Sequence, residues 1–75
     1  MRHYKYQVAG IEQDGVYNSL YAVLDISNYY RKKGYRITVL IYNDDELIGD
    51  ALFDNYNDKQ AVFAQVQEKY GLYHL

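Results

Sequence analysis

Cysteine, proline and tryptophan are absent from the 75 residues, and histidine occurs only twice. Without cysteine there is no disulfide, no thiol nucleophile and no cysteine-ligated zinc, a composition that fits a reducing compartment. His3 and His74 have no third group placed by spacing to orient them, as a catalytic base requires. Glycine-rich phosphate loops are missing too, because Gly10, Gly15, Gly34, Gly49 and Gly71 each stand alone at a turn or an element end. Ser19 and Ser27 are accounted for as a helix cap and a helix-face residue, and the paired carboxylates Asp44 and Asp45 sit on a turn tip, poor ground for a raised pKa. No catalytic group, cofactor site or metal site is therefore expected, and the chain is read as a non-enzyme. Long apolar runs are lacking as well. The longest unbroken one, Val39-Leu40-Ile41-Tyr42, falls far short of the roughly 20 residues of a membrane span, and Met1-Arg2-His3-Tyr4 does not open a signal peptide. The expectation is a soluble, cytoplasmic protein without a membrane partner.

Tyrosine is what the chain has in excess, at eleven residues. A tyrosine combines a large apolar ring with a hydroxyl that wants a partner, so it suits surfaces half buried in a fold and half available for recognition. A chain of this length makes one domain, residues 1–75, and buries only about 60% of its unfolded surface, which makes self-association an option.

Periodicity predicts an α+β fold with helices on one face of an antiparallel sheet. His3 to Ala9 alternates as a strand, with Tyr4, Tyr6 and Val8 on one side. Tyr35 to Tyr42 is the best strand, with Tyr35, Ile37, Val39 and Ile41 opposite Arg36, Thr38, Leu40 and Tyr42. Asn43-Asp44-Asp45 follows as a hairpin turn. In the next strand, about Glu46 to Phe53, Leu47, Ala51 and Phe53 are expected inward, with Gly49 a bulge or a close-packing point. Asn57 or Asp58 caps a helix whose apolar stripe is Val62, Phe63, Val66 and Tyr70, and Gly71 stops it.

Two readings fit the first half. In the preferred one a helix runs from Asn18 or Ser19 to Arg31-Lys32-Lys33-Gly34, presenting Leu20, Val23, Leu24 and Ser27, and the order is β-α-β-β-α with Leu72 to Leu75 as a short fourth strand. In the alternative, ββαββα, Asp14-Gly15 is a hairpin turn, Val16 to Leu24 pairs back on the first strand, and the helix begins near Ser27. A four-stranded version is similar in outline to the RNA-recognition motif, β-α-β-β-α-β. That resemblance implies a third strand with a basic residue and exposed rings, whereas Glu46-Leu47-Ile48-Gly49-Asp50-Ala51-Leu52-Phe53 is acidic, so RNA stacking on the sheet is not expected and no residues are carried over.

A net charge of −2 conceals segregation: Arg31, Lys32, Lys33 and Arg36 cluster, and so do Asp44, Asp45, Glu46, Asp50, Asp54 and Asp58. Helix dipoles, a solvated turn and a charge-protected edge strand account for both clusters without function. A functional reading adds recognition. Acids along a hairpin mimic a phosphate backbone and steer the chain to a basic protein surface, with tyrosines as anchors. The predicted partner site is Tyr17, Tyr21, Tyr29, Tyr42, Asp44, Asp45, Glu46, Asp50 and Tyr56. The protein so described is a small binding module, of the kind a phage or mobile element encodes to inhibit a host nucleic-acid-processing or defence enzyme. A second reading is single-stranded nucleic-acid binding through Tyr29, Tyr30, Arg31, Lys32, Lys33, Tyr35 and Arg36, cations interleaved with stacking rings. A third is a structural homodimer joined at an open strand edge, Tyr4 to Val8 or Leu72 to Leu75. Calcium is discounted, because in Asp54-Asn55-Tyr56-Asn57-Asp58 a tyrosine stands at the third ligand position and Lys59 where the loop needs glycine.

Overall fold

The computed structural model describes residues 1–71. Its order is β1 (Arg2–Val8), β2 (Ile11–Glu12), α1 (Leu20–Lys32), β3 (Ile37–Asn43), β4 (Glu46–Phe53) and α2 (Lys59–Tyr70). The strands form one antiparallel sheet in the order β2-β1-β3-β4, with both helices on one face. The fold is α+β, as the alternation and the helix signals predict.

The first half combines the two readings. α1 starts where the preferred reading puts it, with the Ser19 hydroxyl accepting from the Ala22 amide. Yet a short β2 precedes it, so the element order is ββαββα. Val16 to Leu24 is not the second strand; only Tyr17 pairs back, exchanging two backbone hydrogen bonds with Tyr4 at 2.7 and 2.9 Å. The hairpin turn is Ala9-Gly10 rather than Asp14-Gly15. Both turn residues have positive φ, 49° and 84°, which a two-residue turn needs to match the strand twist. Asp14 and Gly15 lie where β2 has left the ladder. β1 is paired on both sides, so Tyr4 to Val8 is not the open edge that a dimer would use. The other proposed edge, Leu72 to Leu75, lies outside the described residues.

The core lies between helices and sheet. Tyr4, Tyr6 and Val8 of β1, Ile37, Val39 and Ile41 of β3, and Ala51 and Phe53 of β4 meet Leu20, Val23 and Leu24 of α1 and Val62 and Val66 of α2. Ser27 is buried among them and donates its hydroxyl to the Val23 carbonyl at 2.7 Å, which satisfies a polar group that would otherwise be costly there. α2 is capped by Asp58, whose carboxylate accepts from the Ala61 amide at 2.9 Å. Its other end is held by Arg2, which donates to the carbonyls of Tyr70 and Gly71 at 2.8 and 2.6 Å and so places a cation at the negative helix terminus. The start of β1 is thereby tied to the end of α2.

One irregularity positions the site. Ile41 of β3 faces Gly49, while its neighbour Tyr42 faces Leu47, so Ile48 is an extra residue in β4. Ile48 packs against the core, and Tyr70 occupies the space a side chain at position 49 would need. Side chains alternate across a strand, and one inserted residue reverses the alternation beyond it. Leu47 is consequently not inward: it is carried to the opposite face and is 52% exposed.

Candidate functional site

Among the described residues no helix covers the second face of the sheet. Registers across β1, β3 and β4 set out three rows on it: His3, Tyr42 and Leu47; Lys5, Leu40 and Asp50; Gln7, Thr38 and Leu52. Leu40 is at the centre and only 7% exposed, whereas Tyr42 and Leu52 are half-buried. His3 stacks on Tyr42 with ring centroids 5.0 Å apart and planes 4° from parallel. The result is an apolar strip, Tyr42, Leu40, Leu47 and Leu52, running between charged side chains.

The charges on this face are unequal. Lys5 Nζ lies 2.7 Å from Glu12 Oε2, and this pairing holds the ammonium pKa above the ordinary lysine value. Asp44 pairs with the Met1 ammonium, which by hydrogen bond and charge holds its carboxyl below the usual aspartate range. Among the described residues Asp45, Glu46 and Asp50 have no ion-pair partner. Net negative charge is thus left at the β3–β4 turn and along β4, beside the leucines.

The predicted partner residues do not form one patch. Tyr42, Asp44, Asp45, Glu46 and Asp50 belong to the open face and its adjoining turn. Tyr21 and Tyr29 stand on α1, 63% and 59% exposed; Tyr21 meets Phe63 edge-on at 5.3 Å, and Tyr29 meets Tyr30 at 5.1 Å. Tyr56 projects from the β4–α2 loop, 92% exposed. Tyr17 is engaged in the fold, its backbone paired with Tyr4 and its ring tilted against Tyr6 at 6.2 Å.

The basic set is similarly divided. Arg31 donates through Nε to the Asp54 carbonyl at 2.7 Å and lies 4.7 Å over the Phe53 ring, a bond and a stack that join α1 to the end of β4. Tyr30 packs against the core beside Tyr6. Lys33 is folded back on Tyr29, 2.9 Å from its hydroxyl. Lys32, Tyr35 and Arg36 are exposed, as are Lys33 and Tyr29 beside them.

Sequence reasoning missed His3, Leu40, Leu47 and Leu52 as site residues. The signal for Leu40 was present: β3 is apolar on both faces, which a sheet covered on one side only does not need. Leu47 had no such signal, because its face depends on the bulge.

Among the described residues no group of three or more histidine, aspartate and glutamate side chains is placed to hold a metal ion, and no helix is long and apolar enough to cross a membrane. No family model, curated protein or solved structure matches the chain.

Proposed function

We propose that this protein is a non-enzymatic binding module that occupies a partner protein through the open sheet face and the acidic β3–β4 turn. The observation that carries this reading is the apolar strip Tyr42, Leu40, Leu47 and Leu52 on a sheet face that no described helix covers, bordered by Asp45, Glu46 and Asp50, which have no ion-pair partner among the described residues. Apolar side chains at the centre of an interface supply most of its affinity, and surrounding charge sets orientation and association rate. The complementary partner surface is basic at its rim and apolar within, a description that fits the nucleic-acid cleft of a processing enzyme. Blocking such a cleft is how the module would inhibit.

The test is an affinity pull-down of the tagged protein from bacterial lysate, with and without nuclease, in parallel with two variants. One replaces Asp44, Asp45, Glu46 and Asp50 by their amides; the other is Leu52→Asn. One near-stoichiometric protein that survives nuclease, is lost with Leu52→Asn and associates more slowly with the amide variant supports the reading. For the amide variant the salt dependence of association should also flatten. A partner captured equally by all three proteins would place the contact elsewhere.

A further inference from the structure

The two edges of the sheet are unlike. At one edge β2 has two residues, and the chain beyond leaves the ladder before Tyr17 rejoins it, so few backbone groups stand in line. At the other edge β4 has eight residues, and no other described segment forms a backbone hydrogen bond to it besides β3. α2 does not shield this edge, since it lies against the core face with Tyr70 over Gly49 and Val62 and Val66 in the core. Beyond the bulge at Ile48, Gly49 to Phe53 pairs regularly with β3, and a regular strand presents its free N–H and C=O groups as a template for another strand.

We propose that a partner docks by adding an extended segment to the outer edge of β4 between Gly49 and Phe53, with basic and apolar side chains alternating on the open face. This rests on the protein-binding reading above and specifies its mode. Asp50 and Leu52 are the residues of that stretch on the open face, so an added strand sets a cation beside Asp50 and an apolar side chain beside Leu52. Glu46 and Asp54 at the two ends favour further cations on the incoming segment. The same acids argue against a second copy of this chain at this edge, because joining β4 to β4 brings Glu46, Asp50 and Asp54 of both copies together without intervening cations.

The probe is a capped octapeptide in which every second residue is threonine and the others alternate leucine and lysine. It is added to the nitrogen-15-labelled full-length protein, and amide exchange is followed by NMR. Two control peptides replace lysine by glutamate, or carry N-methyl groups on the residues whose N–H groups would pair with β4. Strand addition slows exchange of the outward amides between Gly49 and Phe53, and binding is about tenfold weaker or worse for both controls. The proposal is overturned if the lysine peptide does not bind, if N-methylation is tolerated, or if those amides are already protected before peptide is added. A partner recovered in the pull-down whose binding leaves β4 exchange unchanged would also overturn it, while leaving the protein-binding reading in place. Loss of that partner reading with β4 addition intact would show instead as peptide binding without any dedicated protein recovered.

Discussion

The helix-covered face and the open face of the sheet are built from the same strands, yet they sort their side chains against residue type. Two tyrosines of β1, Tyr4 and Tyr6, lie inside, while Leu40, Leu47 and Leu52 lie on the side without helices. A tyrosine in a thin domain is long enough to span from strand to helix, so it serves as core as readily as surface. What distinguishes the faces is the second layer. Where α1 and α2 supply one, ring and aliphatic side chains close against it; on the other face Leu47 stays 52% exposed and Leu52 half-buried.

The sharpest way to break this comparison is to remove one large side chain from each face of β4. Phe53 is fully buried and carries Arg31 on its ring, so Phe53→Ala should lower unfolding free energy by about 3–5 kcal/mol, a large share of the stability of a small domain. Leu52→Ala, one residue away on the open face, should lower it by less than about 1 kcal/mol. Urea unfolding of both variants gives the answer. Equal losses would mean that the open face is part of the folding core and not a surface held ready for binding.

The hairpin and second helix were the most legible region of the sequence, because each of their signals is local. The chain turns at Asp44-Asp45 within the expected Asn43-Asp44-Asp45, α2 is capped by Asp58, one of the two candidates Asn57 and Asp58, and Gly71 follows its end as expected. The first half was less legible for a reason that can be named: its hairpin turn places Ala9 at a φ of 49°, a conformation that alanine does not advertise, while the glycine-containing Asp14-Gly15 pair lies off the ladder. The site was half legible. Tyr42 and the acids follow from strand alternation, but the face of Leu47 was decided by one extra residue in β4. A bulge is a relation between two strands, and periodicity within one strand does not contain it.

That bulge supplies the next test. Ile48 and Gly49 together face Ile41, and only one of the two has a side chain, the place of the other being taken by Tyr70. Gly49→Ala should therefore displace the Tyr70 ring and destabilise the fold by about 1–3 kcal/mol, an overpacking effect. In the background of Tyr70→Leu the same substitution should cost at least about 0.5 kcal/mol less, because the two positions share one space. Additive losses would show that glycine is required by the backbone of the bulge and not by the ring above it.

The smallest effect separates the two faces through neighbouring residues of β1. Lys5 points to the open face and Tyr6 to the core, and both have pKa values above the ordinary ones, for different reasons. For Lys5 the hydrogen bond and charge of Glu12 favour the ammonium; for Tyr6 burial opposes the phenolate, with Tyr17 and Tyr30 adding to it. In both cases the folded state holds its proton more tightly than the unfolded chain. The associated stability is therefore fully present below the unfolded pKa values and is lost as the pH rises through the folded ones, in the alkaline range above about 10. Salt distinguishes the causes, since it screens an exposed ion pair and leaves desolvation nearly unchanged. Carbon-13 titration of Lys5 Cε and Tyr6 Cζ at low and high salt should show the lysine moving back toward its ordinary value while the tyrosine stays raised. If both relax together, the Tyr6 shift arises from charge and not from burial, and the core face beneath β1 is wetter than its packing implies.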